Sequence, residues 1–148
     1  MNKRGNQLII SIVIIVILLF ATGILSFNLY NKKAYLDNVH LESDRITQGT
    51  QTKLYFDVIN NFDTTLTPKI GVIINQSTNE NCFTKIDEKV LDKVSPKNRL
   101  PTYVYINSNQ QLPYSTERCS QRIFIITINL KDFDGKVLDS KNIQIGVV

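Results

Sequence analysis

The first part of the chain is apolar without interruption. The twenty residues from Leu8 to Phe27 carry no charge, and only three of them bear a hydroxyl group. At about 1.5 Å per residue, a helix of this length spans roughly 30 Å, the thickness of the hydrocarbon layer of a membrane. Because lipid offers no hydrogen-bonding partner, the backbone must satisfy its own groups as a helix. The pattern predicts one transmembrane α-helix over residues 8–27, preceded by a short N-terminus at residues 1–7.

The same stretch also fits a cleaved secretory signal. Lys3-Arg4 supplies a basic start, Leu8–Phe20 an apolar core, and Ala21-Thr22-Gly23 a cleavage site of small residues. Retention in the membrane is favoured, because apolar residues resume at Ile24-Leu25 and the pair Lys32-Lys33 is typical of a membrane interface. Release of a secreted soluble domain by signal peptidase is the alternative.

Beyond a polar juxtamembrane linker at residues 28–37, apolar and polar residues alternate. Leu54, Phe56 and Val58, for example, are separated by single residues of more polar character. Such alternation is typical of strands with one buried face. The pattern and its turn residues predict about seven strands: Val39–Ser43, Lys53–Val58, Lys69–Asn75, Lys89–Val94, Thr102–Asn107, Arg122–Lys131 and Val137–Val148.

Several short strands without a long helical pattern between them predict an all-β fold. The expected architecture is an immunoglobulin-like antiparallel β-sandwich over residues 38–148. One segment is ambiguous, because Ile86, Val90 and Val94 fall at helical spacing. The β-branched valines, and Pro96 just after them, favour a strand there.

The last two predicted strands form a hairpin around Asp134-Gly135, a turn pair that tolerates positive φ. On the return strand, Leu138 and Ile143 have opposite parity. We therefore expect either a bulge between these two residues or Val137 as the inward residue of its pair.

The chain has two cysteines, Cys82 and Cys119. In the expected sandwich, the strand before Cys82 and the strand after Cys119 are antiparallel neighbours, so both thiols arrive at the same end of one sheet. This placement predicts a Cys82–Cys119 disulfide, and an even pair of cysteines beyond a membrane segment favours an oxidising compartment. We expect a protein of the cell membrane with a cytoplasmic N-terminus and an extracytoplasmic sandwich.

The positive charge of the chain is confined to its beginning. The formal net charge of +4 arises within residues 1–33, since the remainder carries thirteen basic and thirteen acidic side chains. A neutral body lacks the basic footprint of nucleic-acid binding, so no nucleic-acid partner is expected. The predicted partners are membrane lipid, through residues 8–27, and an unidentified protein or surface, with self-assembly as a further option.

The sequence shows no catalytic arrangement. It contains no nucleophile motif, phosphate-binding glycine loop or metal-ligand spacing, so we expect neither an enzyme nor a cofactor. His40, the single histidine, is expected to be an ordinary strand residue, and two cysteines with one distant histidine cannot complete a tetrahedral metal site. Asp132-Phe133-Asp134-Gly135 resembles the start of a calcium loop, but no further oxygen ligands follow, and a turn is favoured.

Two features point to the surface of the sandwich. Asn75-Gln76-Ser77 is the single N-glycosylation sequon, which makes Asn75 a candidate modification site at the end of a predicted strand. Tyr103, Tyr105 and Tyr114 are amphipathic side chains suited to contacts. Because Tyr103 and Tyr105 alternate along one strand, packing explains them more simply.

The run from Gly49 to Asn60, with the later Asp134-Gly135-Lys136-Val137-Leu138, resembles the immunoglobulin-like modules of prokaryotic surface proteins related to cell adhesion. The resemblance covers most of residues 38–148. It rests on residues that such a sandwich needs at its second strand and final hairpin. It implies an immunoglobulin-like fold and a role at the cell surface.

The N-terminus resembles the class III signal of archaeal type IV pilins and archaellins, because Lys3-Arg4-Gly5 directly precedes a long apolar helix. The resemblance implies cleavage after Gly5, with Asn6 as the new N-terminus, and later packing of the apolar helix in a filament core. Ile10 departs from the Glu that bacterial pilins use at this place.

These observations predict a single-pass, membrane-anchored β-sandwich that acts outside the cytoplasm as a non-catalytic binding, adhesion or assembly module. A pilin-like filament subunit cleaved after Gly5 and a secreted soluble domain are the two alternatives.

Overall fold

The computed structural model describes residues 33–76, 82–110, 119 and 122–148. No helix within these residues is long and apolar enough to cross a membrane. The predicted transmembrane helix at residues 8–27 and the predicted processing site at Gly5 and Asn6 lie outside the described residues.

The described residues contain eight β-strands. In chain order they are β1 (Ala34–Leu41), β2 (Arg45–Ile46), β3 (Gln51–Asn60), β4 (Lys69–Ile74), β5 (Lys89–Val90), β6 (Asn98–Asn107), β7 (Arg122–Lys131) and β8 (Val137–Val147). Five of the predicted strands correspond to the long strands β1, β3, β6, β7 and β8, and a sixth corresponds to β4. The two-residue β2 has no predicted counterpart.

The strands form two sheets. One has the order β1-β3-β6 and the other the order β2-β8-β7-β4-β5. Every pairing is antiparallel except that of β2 with β8, which is parallel. The chain changes sheets between β1 and β2. This architecture confirms the predicted immunoglobulin-like β-sandwich.

The core lies between the two sheets and is filled by every second residue of the long strands. Leu54, Phe56 and Val58 of β3 are buried, and so are the even-numbered residues of β7 from Phe124 to Leu130. The alternation that predicts these strands therefore also fills the core. Each such side chain contributes about 1.5–3 kcal/mol by leaving water.

The sandwich begins earlier than the predicted boundary at residue 38. β1 starts at Ala34, and both Ala34 and Leu36 are buried. The Leu36 N–H donates a hydrogen bond to Asp139 Oδ2 at 2.9 Å, which ties the first strand to β8 of the other sheet. Residues 34–37 of the predicted linker thus belong to the fold. The local pattern missed them because only two apolar residues alternate there.

The ambiguous segment before Pro96 is extended, without a helix. Only Lys89–Val90 is strand, so the predicted strand Lys89–Val94 is too long. Val90 is exposed, whereas Leu91 and Val94 are buried. Val94 instead forms an isolated antiparallel bridge with Leu66. The chain therefore leaves the sheet after Val90 and crosses to the other sheet, which its side-chain pattern alone does not reveal.

The register of the last hairpin settles the parity of β8. Lys131 pairs with Val137 and Leu130 pairs with Asp139, so Leu138 is skipped. The irregularity lies at Leu138 itself, whereas a bulge was expected between Leu138 and Ile143. Val137 is 50% exposed, so the alternative that placed Val137 inward is wrong. The skipped residue brings Asp139 into the inward parity shared by the apolar residues later in β8.

Candidate binding face

The predicted disulfide is present. Cys82 and Cys119 are bonded, with their Cα atoms 5.5 Å apart, and both residues are buried. The neighbouring Phe83 packs edge-on against Phe124, with ring centroids 5.0 Å apart. The Asn109 N–H donates to the Cys82 carbonyl at 2.9 Å. Burial on all sides gives this pair a structural role rather than a reactive one.

The sequon residue Asn75 lies just after β4 and is exposed. Its backbone N–H donates to the Ile125 carbonyl at 2.9 Å, which fixes the main chain of Asn75 against β7. Modification of Asn75 stays a prediction, and Ser77 of the same sequon lies outside the described residues.

The acidic run before Gly135 forms a turn. The Lys136 N–H donates to Asp132 Oδ1 at 2.8 Å, and the Gly135 N–H donates to the Asp132 carbonyl at 3.1 Å. Gly135 has φ +90°, which the turn requires. Across the described ranges, no group of three or more His, Cys, Asp or Glu side chains is placed to hold a metal ion.

A cluster of aromatic residues covers the outer face of the three-stranded sheet. We call it the tyrosine face and define it by His40, Tyr55, Tyr103 and Tyr105 with the charged Glu42 and Lys53. Strand register assembles it, since Tyr55 pairs with His40 on one side and with Tyr103 on the other. Because successive side chains of a strand alternate between faces, the core-facing neighbours force these rings outward.

The rings of the tyrosine face touch one another in a continuous row. His40 stacks on Tyr55 with centroids 5.3 Å apart and planes inclined by 18°. Tyr55 and Tyr103 are 5.7 Å apart at 54°, and Tyr103 and Tyr105 are 5.4 Å apart at 85°. The tilted arrangement gives an uneven amphipathic surface rather than one flat platform.

Charged side chains border the row. Lys53 Nζ lies 5.3 Å from the centroid of the Tyr103 ring and 3.9 Å from Glu42 Oε1. Glu42 is the main cause that raises the pKa of Lys53 above its ordinary value. Hydrogen bonding to Tyr103 raises the pKa of the Tyr105 phenol. At neutral pH the face therefore presents the neutral hydroxyl group of Tyr105 and the charged ammonium group of Lys53.

One end of the tyrosine face contains a shallow recess of about 200 Å³. Tyr55, Asp57, Pro101 and Tyr103 contribute to its lining. Asp57 is held there by the Asn38 amide, which donates to its Oδ2 at 2.6 Å. Asn38 itself has φ +48° and lies at the register irregularity of β1. A local distortion of the edge strand thus positions Asp57 in the lining of the recess.

The outer face of the five-stranded sheet differs in character. It exposes Ile73, Ile123 and Ile125 and carries no comparable aromatic row among the residues described. A groove of about 290 Å³ lies over Gly71, bordered by the Glu88–Lys131 ion pair at 2.7 Å. Scattered aliphatic residues are common on protein surfaces, so they single out a binding site less clearly than the tyrosine row does.

Sequence reasoning recognised part of the tyrosine face. It identified Tyr103 and Tyr105 but assigned them to packing, whereas they are 41% and 44% exposed. His40 was expected to be an ordinary strand residue, and its Nδ1 lies 2.7 Å from the Asn38 carbonyl oxygen. Tyr55 went unnoticed because only the non-local strand register brings it beside Tyr103.

Comparison with solved structures places the fold among known sandwiches. The CARDB domain of the PF1109 protein from Pyrococcus furiosus, crystallised in complex with di-metal ions, matches 78% of this chain and 86% of that domain. The TM-score is 0.51 at 13% sequence identity. The fold is that of an immunoglobulin-like sandwich.

Two further structures agree. The solution structure of the same CARDB domain matches with a TM-score of 0.50 at 12% identity, covering 78% of this chain and 93% of that one. A GH2 beta-galacturonidase from Eisenbergiella tayi matches with a TM-score of 0.51 at 15% identity, over 78% of this chain but 18% of the enzyme. At such identities the likeness concerns the fold alone.

Sequence comparison adds no family. No protein-family model matches the chain, and no curated protein matches its sequence significantly. The sandwich architecture, similar to the CARDB domain, therefore rests on the structure. A function must be argued from the surface of this chain.

Proposed function

We propose that this protein is a single-pass membrane-anchored module that presents its immunoglobulin-like sandwich outside the cytoplasm and binds a protein partner without catalysis. The tyrosine face is the contact surface in this proposal. The observation that carries it is the row of touching aromatic rings on an otherwise solvated sheet face.

Tyrosine is well suited to such a role. Its ring buries a large apolar area at small cost in side-chain entropy, and its hydroxyl group keeps the free surface soluble. Protein interfaces are enriched in tyrosine and arginine, and their strongest contributions cluster near the centre of the contact. Tyr55 and Tyr103 occupy the centre of the row, while Lys53 and Glu42 form a polar border.

Binding can be tested with intact cells of the organism that encodes the protein, after deletion of its gene. The full chain, purified in detergent micelles and fluorescently labelled, is added to these cells. We expect the double variant Tyr55→Ser with Tyr103→Ser to lose at least tenfold in binding. The matched double variant Ile73→Ser with Ile125→Ser, on the other outer face, should bind as the unaltered chain does. Equal losses for the two variants would exclude the tyrosine face as the contact surface.

The location proposal rests on the apolar residues 8–27 and on the buried disulfide of the sandwich. Protease added to intact cells should degrade the sandwich of the membrane-bound protein. Protection in intact cells, with degradation only after lysis, would contradict the proposed orientation.

The pilin-like and secreted alternatives differ from the anchor at the N-terminus. The motif Lys3-Arg4-Gly5 before the apolar stretch is the feature that supports the pilin-like alternative. Sequencing of the mature chain should start at Met1 for the anchor, at Asn6 for a pilin-like subunit, and near Ile24 for a secreted domain.

A further inference from the structure

The edges of the two sheets are protected unequally. In the five-stranded sheet, the edge strands β2 and β5 have two residues each. In the three-stranded sheet, β1 is tied down by the hydrogen bond from Leu36 N–H to Asp139. β6, at the other edge of that sheet, has ten residues. Within the described part of the chain, β6 is therefore the long edge strand that lacks a comparable cover.

The hydrogen bonds at the end of β6 show which backbone groups face the open edge. Ser108 N–H donates to Thr50 of the β3 side at 2.9 Å, whereas the Asn107 carbonyl accepts from Thr84 on the opposite side at 3.0 Å. Because these directions alternate along an antiparallel strand, even-numbered residues of β6 bond to β3. The N–H and C=O groups of Tyr103 and Tyr105 point to the open edge.

Pro101 lies in this open stretch with the same parity. The backbone nitrogen of Pro101 faces the open edge, so the N–H that proline lacks would not have bonded to β3. An edge strand tolerates proline at such a position. The cover from Thr84 begins at Asn107. Among the residues that the structure describes, the accessible edge thus runs over Pro101–Tyr105, and the side chains of Pro101, Tyr103 and Tyr105 all project from the outer face.

We propose that a second copy of this chain adds its β6 antiparallel to this edge, around a two-fold axis at Tyr103. Each Tyr103 then exchanges two backbone hydrogen bonds with the partner's Tyr103, and each Tyr105 N–H donates to the carbonyl of the partner's Pro101. The two three-stranded sheets become one continuous sheet. This proposal does not depend on the proposed binding of another protein.

A symmetry argument and one observation favour a second copy as the occupant. Identical strands that pair antiparallel are self-complementary by symmetry, so the short open stretch matches itself without a further partner sequence. In addition, the partner's Tyr105 lies opposite Pro101 on the outer face, at the recess of about 200 Å³ lined by Tyr55, Pro101 and Tyr103. In this arrangement the ring of the partner's Tyr105 packs against the apolar lining of the recess.

The register can be tested by cross-linking the full chain in detergent micelles. Paired Cα atoms in a hydrogen-bonded antiparallel pair are about 5.5 Å apart, within disulfide range. Tyr103→Cys should form a covalent dimer on mild oxidation. Tyr105→Cys places the two thiols on the order of 14 Å apart, and Tyr55→Cys lies one strand inside the edge, so neither should form one.

A non-covalent comparison uses Tyr103→Pro and Tyr103→Ala, measured by sedimentation velocity. Both variants remove the ring, but only the proline removes the edge N–H, so Tyr103→Pro should reduce the association constant at least tenfold below that of Tyr103→Ala. Circular dichroism checks that both remain folded. Equal association of the two variants, equal cross-linking at Tyr55 and Tyr103, or no cross-link at Tyr103 would each overturn the proposal. Monomers that instead bind other extended peptides at this edge would also overturn the second copy as occupant.

Discussion

The two ends of the sandwich are held together by different chemistry. At one end, the Cys82–Cys119 disulfide joins the segment after β4 to the segment before β7, beside the packed rings of Phe83 and Phe124. At the other end, the fully buried side chain of Asn60 connects loops that are distant in sequence. One end is held by a covalent bond, whereas the other is held by non-covalent contacts, among them the hydrogen bonds of this single amide group.

Both the nitrogen and the oxygen of the Asn60 side chain have hydrogen-bond partners within the fold. Its amide nitrogen donates to the carbonyl oxygens of Thr64 and Val94, both at 2.9 Å, and of Ser95 at 3.1 Å. Its Oδ1 accepts from the Phe62 N–H at 2.9 Å. One side chain therefore binds the β3–β4 loop to the segment that precedes β6.

The two devices act on different states of the chain. A disulfide stabilises mainly by restricting the unfolded chain, whereas a buried hydrogen-bonded amide acts in the folded state. A variant without the disulfide should expose more surface on unfolding, so its free energy of unfolding should fall more steeply with urea concentration. A variant without the Asn60 amide group should keep the urea dependence of the unaltered protein. Urea unfolding can therefore distinguish the two ends by slope as well as by stability.

Removal of the disulfide should have the largest effect. We expect the double variant Cys82→Ala with Cys119→Ala to lose about 3–4 kcal/mol of unfolding free energy, given a loop closed over 37 residues. The slope in urea, followed by tyrosine fluorescence of the full chain, should increase. The unaltered protein treated with dithiothreitol serves as a control and should unfold at a similar midpoint. An unchanged midpoint in both cases would show that the bond does not restrict the unfolded chain.

Asn60→Ala should come next, with a loss of about 2–3 kcal/mol, because it removes a fully buried side chain together with its hydrogen bonds to the carbonyl oxygens of Thr64, Val94 and Ser95. The slope in urea should match that of the unaltered protein. Asn142→Ala, at an exposed position of β8, is the matched control and should change stability by less than about 0.5 kcal/mol. Similar losses of stability for Asn60→Ala and Asn142→Ala would show that the hydrogen bonds of Asn60 do not hold this end.

The difference between the ends also explains what the sequence could predict. The disulfide was predictable, because the chain has only two cysteines and the strand pattern places both at one end. Asn60 was not, because it is one of many asparagines. The Val94 and Ser95 carbonyl oxygens that it contacts lie 34 and 35 residues away. Local alternation carries no information about such a contact.

The binding face was also predictable only in part. Period-two alternation predicted β3 and β6 and placed Tyr103 and Tyr105 on the same side of one strand, but both side chains were assigned to packing, whereas they are exposed. It could not predict that Tyr55 and His40 lie beside them, because the register between strands is set by the whole core. The short β2 and the crossing after Val90 were missed for a related reason, since few local residues specify either.

The smallest effect is expected at the Glu88–Lys131 ion pair, which lies towards the end of the sandwich that Asn60 holds. Hydrogen bonding to Lys131 lowers the pKa of Glu88 below its ordinary value of 4.5. A carboxylate with a lowered pKa in the folded state stabilises the fold above its ordinary pKa. This contribution is lost as the pH falls through the folded value.

Glu88→Gln should therefore lower the thermal midpoint slightly at pH 7, and the difference from the unaltered chain should vanish as the pH falls well below 4.5. High salt should also reduce it, because both side chains are partly exposed. Asp134→Asn removes the same charge from the exposed turn of the last hairpin and separates the ion pair from the general effect of net charge. A difference at pH 7 that persists in acid would mean that Glu88 acts through packing rather than through its charge.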